Sequence, residues 1–139
     1  MRNMSFMLTA EAVKPDATRD RERYPVRKDV TRRLGWAFLK PGQLFQGVRQ
    51  ARGLKQGQHV ERLFIGECVS NTPERLDEML RRPWRGPREW DWGPRGWEWE
   101  TVREGFPSLD AGQFVTMFCG HMSCEMSTVV NRIEYRYVK

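Results

Sequence analysis

Hydrophobic positions recur along this chain with two periods, one close to two residues and one close to three and a half. Met4-Ser5-Phe6-Met7-Leu8 alternates apolar and small polar residues, as a short half-buried strand does. Thr9 can cap a short helix through Glu11 and Val13, and Pro15 ends it. Val26–Arg33 reads as a strand, and Gln43–Arg49, with Leu44, Phe45 and Val48 apolar, as a second. Val60–Ser70 is apolar on both faces around Leu63, Phe64, Ile65 and Val69, the pattern of a buried third strand. Asn71-Thr72-Pro73 is expected to stop it, and Leu76, Met79 and Leu80 sit at helical spacing within Pro73–Arg82. Ser108 is expected to cap a helix carrying Phe114, Met117, Phe118 and His121 on one face, with Asp110 in its first turn. Thr128–Val138 reads as the closing strand, with Val129, Ile133, Tyr135 and Tyr137 on one face and Arg132, Glu134 and Arg136 on the other. Strands first, a helical insert and a final strand predict one α+β domain over residues 1–139: a small mixed β-barrel flanked by short helices.

Two stretches escape this periodicity. Residues 14–25 open a basic region, Lys14–Arg33, that holds eight Lys or Arg against four acids. It reads either as a solvated loop with local ion pairs or as a phosphate-contacting rim, and arginine suits bidentate phosphate contacts. Residues 83–99 hold Trp84, Trp90, Trp92, Trp97 and Trp99, interleaved with Arg85, Arg88 and Arg95. The prolines and glycines among them exclude a long helix. An irregular excursion with at least two indoles packed on the barrel is expected; a stacking platform for bases or a protein contact would use the same residues.

Charge and cysteine content narrow the class. A net charge of +6 favours a polyanionic partner. Three cysteines, no secretory leader pattern and no membrane-length apolar run predict reduced thiols, a cytoplasmic protein and no membrane partner. Cys119-Gly120-His121-Met122-Ser123-Cys124 lacks the paired spacing of a zinc site, and no glycine-rich phosphate loop occurs, so neither metal nor cofactor is expected. Oligomeric state is left open.

The stretch Lys28–Gly42 packs a lysine, a threonine and two arginines into six residues, then bends through Leu34-Gly35-Trp36 and closes on Lys40-Pro41-Gly42, a type-II turn signal. It resembles the signature of ASCH-domain proteins, small relatives of the PUA domain, whose first strands carry a Lys-Thr-x-Thr-Arg-Arg pattern. Asp29 and Gln43 depart from it. The runs Arg103–Pro107, Gln113–Cys119 and Thr128–Val138 are similar to the family's tail, so the resemblance covers residues 4–10, 26–70 and 101–138. It implies a PUA-like barrel with a basic cleft that binds RNA or a modified nucleoside through Arg27, Arg32, Arg33, Trp36 and Lys40. Arg32, Arg33 and Lys40 are then expected on one face near Lys28. Small bacterial enzymes of the family hydrolyse the acetyl amide of 4-acetylcytidine with a Lys, a Thr and a distant Glu, which map onto Lys28, Thr31 and Glu104. A metal-independent ribonuclease is a further alternative.

The chemistry can be argued apart from the resemblance. A desolvated lysine can act as a base, a threonine as a nucleophile or water-positioning hydroxyl, and a glutamate as a general base. Two features stand against it. Residues three apart in a regular strand face opposite sides, so Lys28 and Thr31 would need a bulge or turn to meet. Asp29 can also pair with Lys28 and hold it charged.

Overall fold

Five strands form one mixed sheet in the computed structural model, which describes residues 1–80 and 98–138. They are β1 (Asn3–Ser5), β2 (Val30–Arg33), β3 (Leu44–Val48), β4 (Arg62–Arg75) and β5 (Val129–Val138), in the order β1-β3-β4-β5-β2. β1 runs parallel to β3 and the other neighbours are antiparallel. Two helices, α1 (Glu98–Arg103) and α2 (Ala111–Met122), complete an α+β architecture. β1 and β2 are the two edges and share no ladder, so the sheet does not close into the expected barrel. One side chain spans the gap: Arg33 donates to the Ser5 carbonyl at 2.5 Å.

The sheet's main core is built from aromatic rings laid over glycines. Phe45 pairs with Gly66 and Phe64 with Gly47 across β3 and β4. A β-carbon on Gly66 would lie 2.4 Å from the Phe45 ring, and one on Gly47 would lie 2.2 Å from the Phe64 ring. The rings therefore need both glycines bare. Phe6 and Tyr135 join them in one buried cluster with Met4 and Ile133.

β4 outruns its expected end, passing through Asn71-Thr72-Pro73 beside β5. β3 stops pairing at Glu67, so a proline lacking an N–H is tolerated on the open flank. A register shift between Cys68 and Ser70 leaves Val69 as an extra residue. The bulge reverses which β4 side chains face the main core, and puts Glu74 on the same face as Arg132. Leu76–Leu80 follows as a short 3-10 turn. It packs Leu76 and Met79 against Phe114, Val115 and Phe118 of α2 and Val130 of β5, a second core on that face. Val130, rather than the exposed Val129, is thus the apolar anchor at the start of β5.

Local caps also differ in detail. Asp110, not Ser108, caps α2, in a reciprocal box with Gln113 (2.8 and 2.9 Å). Lys40-Pro41-Gly42-Gln43 forms the expected turn, closed by the Gln43 N–H on the Lys40 carbonyl. Loop 14–25 winds around the buried Arg19, which donates to the Tyr24 and Lys14 carbonyls and pairs with Asp16. Of the tryptophan-rich stretch, residues 83–97 lie outside the described residues; Trp99 is half-buried in α1.

Gly66→Ala should destabilise the fold by about 1–3 kcal/mol, because the β-carbon must displace Phe45. Urea denaturation reads this as a lowered midpoint at unchanged slope; a wild-type midpoint would show that the ring moves aside freely.

Candidate functional site

Lys28 enters the interior just before β2 begins. Its N–H donates to the Ala12 carbonyl at 3.0 Å, and the Lys28 carbonyl accepts from the Tyr137 hydroxyl. The lysine therefore precedes the regular strand, and strict alternation does not separate it from Thr31. Its side chain is 2% exposed. Nζ donates to the Val30 carbonyl (2.6 Å), the Glu104 carbonyl (2.5 Å) and Glu104 Oε1 (3.2 Å). Three acceptors match the three protons of an ammonium. Burial pushes the Lys28 pKa down to about 8, against the opposing pull of the Glu104 charge.

Glu104 follows α1, its N–H bonded to the Glu100 carbonyl in helical register. Gly105 then turns with φ +91°, where a β-carbon would lie 3.1 Å from Thr9 and Ala12 and 3.2 Å from the Lys28 stem. Only glycine suits that conformation and that space, and the turn aims Glu104 inward. Both its oxygens are held: Oε1 by Lys28 and Oε2 by Arg32 at 2.6 Å.

Arg32 is the centre of this buried charge cluster. It also donates to Glu100 Oε1 at 2.8 Å and to Glu74 Oε1 at 2.8 and 3.1 Å. Arg132, directly opposite on β5, reaches Glu100 at 2.6 and 3.2 Å. Burial opposes the charge on Arg32, but the carboxylates outweigh it and raise its pKa. Burial alone would likewise push Glu100 up, yet Arg132 and Arg32 hold it below the ordinary carboxylate value. Among the described residues the cluster joins three cations, Lys28, Arg32 and Arg132, to three carboxylates, Glu74, Glu100 and Glu104. Arg32 thus belongs to the interior and not to a phosphate rim.

Its neighbour Arg33 has a different fate. Arg33 Nε donates to Thr31 Oγ1 at 3.1 Å, its guanidinium lies 4.9 Å from the centre of the Phe6 ring, and no carboxylate of the described residues pairs with it. Burial pushes its pKa down to about 10. Lys28, Thr31, Arg32, Arg33 and Glu104 all line one cavity of about 310 Å³. Phe6, Phe106, Phe114, Met117, Phe118 and Met122 supply most of its apolar wall.

The remaining expected residues are dispersed. Arg27 donates to the Val13 carbonyl at 2.7 Å, with its guanidinium 3.4 Å from the Tyr137 ring centre. Lys40 is exposed on its turn and lines neither this cavity nor the groove beside it. Arg32, Arg33 and Lys40 therefore do not share one face. Trp36 lines the neighbouring groove. Asp29 pairs with Arg103 at 2.9 Å, and so leaves Lys28 to Glu104. Among the described residues no three His, Cys, Asp or Glu side chains group as metal ligands do. Glu100 and Glu74 escaped the sequence reading. Glu100 carried a signal, its four-residue spacing from Glu104, which puts both carboxylates on one helix face. Glu74 carried none, since only the bulge turns it inward.

In amine-detected NMR, Lys28 should titrate near 8, and Glu104→Gln should lower that midpoint by removing the opposing charge. A folded-state pKa below the unfolded value of 10.5 means the unfolded chain binds more protons between about 8 and 10.5. The Lys28 contribution to stability should therefore rise with pH across that window, and Lys28→Met should abolish the rise. A wild-type midpoint near 10.5 would exclude a desolvated ammonium.

Compared with family models, curated proteins and solved structures, the chain gives no match, so the site is read from its own geometry.

Proposed function

We propose that this chain is an ASCH-type domain whose cavity takes a modified nucleoside, and that it hydrolyses an amide on the base, with 4-acetylcytidine the substrate that the resemblance implies. The observation that carries the reading is the convergence of Lys28, Thr31, Arg33 and Glu104 on one small, largely apolar cavity. A planar base suits walls of Phe106, Phe114 and Phe118, with His121 on the same helix as Phe114 and Phe118 and the charged groups gathered around Lys28 and Glu104. An extended polyanion does not suit it, because Arg27 and Arg32 are already engaged by the protein.

Thr31 Oγ1 attacks the acetyl carbonyl carbon and its proton passes to the Lys28 amine. With a pKa near 8, about a tenth of the amine is neutral at pH 7, where an ordinary lysine would have almost none. Arg33, already a donor to Thr31, is the cation beside the developing oxyanion. Collapse breaks the C–N bond, and the Lys28 ammonium returns the proton to the leaving exocyclic nitrogen. Water then cleaves the acetyl–Thr31 ester to release acetate. Glu104 holds the lysine through both its carbonyl and its carboxylate.

Acetate release from 4-acetylcytidine tests this directly. kcat/KM should rise with pH through about 8 and then level, following the Lys28 amine. Thr31→Val should lower kcat by at least about a hundred-fold with nucleoside affinity nearly unchanged, since the hydroxyl acts in the transition state. No turnover by wild-type protein at high concentration, or full turnover by Thr31→Val, would overturn the hydrolytic reading.

A further inference from the structure

Beside the cavity lies a second, wider depression of about 740 Å³. The two share Ser5, Met7 and Arg33, so they are continuous across that arginine. Among the described residues the groove is lined by three cations, Arg2, Arg33 and Arg52, and by no carboxylate. Where Arg32 is buried among three acids, the groove has none, which leaves a local excess of positive charge. Arg33 adds weight to it, since its described partners are a hydroxyl and a carbonyl.

Two rings, with Met7 and Ala51, form the groove's apolar surface. Trp36 and Phe38 lie 5.2 Å apart between ring centres, tilted by 31°, and Phe38 is 49% exposed. The Arg2 guanidinium sits 4.5 Å from the Phe38 ring centre. Trp36 adopts φ +74°, a left-handed conformation that is rare for a large side chain. The surrounding structure enforces it. Asn71 Nδ2, from β4, donates to the Trp36 and Leu39 carbonyls at 2.8 Å each, and Asn131 Nδ2, from β5, donates to the Gly35 carbonyl at 2.7 Å. A bend held from two strands fixes where the two rings sit beside the groove, with Trp36 also packed edge-on against Phe45 of the core.

Cations without acids, next to an exposed Phe38 and a half-buried Trp36, match the alternating phosphates and bases of a single strand. We propose that the groove binds single-stranded nucleic acid flanking the nucleotide in the cavity, so that the substrate is a modified base within a strand and not a free nucleoside. This extends the nucleoside reading of the cavity and rests on it for the position of the modified base. Arg33 then stands where the strand passes from groove to cavity. The groove is more than twice the cavity's volume, room for more than one phosphate.

Binding to the full chain tests it with four probes: 4-acetylcytidine, its 5′-monophosphate, a pentanucleotide carrying 4-acetylcytidine at its centre, and an unmodified pentauridylate. The modified pentanucleotide should bind at least about ten-fold tighter than the nucleoside, with an advantage that shrinks as salt rises. The double variant Arg2→Ala/Arg52→Ala should remove most of that advantage and leave nucleoside affinity unchanged. Phe38→Ala should act the same way with less effect on the salt slope. Equal affinity for nucleoside and pentanucleotide, or an advantage that survives the double variant, overturns the groove. A monophosphate as tight as the pentanucleotide overturns the strand, leaving one phosphate site. If the nucleoside does not bind but pentauridylate does, with salt-dependent affinity lost in the double variant, the cavity reading fails and the groove stands.

Discussion

The ion pair between Arg32 and Glu104 is the constraint around which the interior is arranged. Neither charge can be buried unless it is fully partnered, because the desolvation of an isolated ion exceeds what any single contact returns. Completing the partnership recruits distant parts of the chain: β2 supplies Arg32, the segment before it Lys28, the end of β4 Glu74, α1 Glu100 and β5 Arg132. The local oddities of the fold serve this arrangement. The Val69 bulge brings Glu74 to the right face, and Gly105 turns Glu104 toward the cavity floor.

The same cluster sets the chemistry beside it. Within it the cations and carboxylates of the described residues match in number, and Arg32 is held firmly charged. At its margin the balance changes. Lys28 has one carboxylate partner and Arg33 has none in contact, and for both burial outweighs the opposing pull of nearby negative charge, so both have depressed pKa values. Two cations whose charge is poorly compensated, facing one cavity, make a site that gains from an anion or a developing oxyanion. Groups that a ligand stabilises are often ones the free protein bears at a cost, and here that cost falls on the cavity's floor and not on the network behind it.

Arg33 also explains why an unclosed sheet is useful. β1 and β2 are edges without a shared ladder, and the Arg33 guanidinium crosses between them to the Ser5 carbonyl. A closed ladder would fill this space with backbone hydrogen bonds. The gap instead admits side chains, and the cavity on one side and the groove on the other meet at that arginine.

Much of the framework was legible in the sequence. Strand periodicity located β3 and the closing strand, Lys40-Pro41-Gly42 specified its turn, and the α2 face was written in its aromatic spacing, because these depend on residues near one another in the chain. The family resemblance, and not the spacing, pointed to Lys28, Thr31 and Glu104, which the fold brings to one cavity. What it could not tell was which of two adjacent arginines would be consumed. Arg32 and Arg33 are the same residue type one position apart and border the same cavity, yet one is paired with acids and the other with a hydroxyl and a carbonyl. That difference depends on Glu74, Glu100 and Arg132, which arrive from distant elements, and on a one-residue bulge that leaves no mark in composition. Local pattern thus determined which groups the protein has to work with; only the tertiary packing of charge against charge decided which remained free for a ligand.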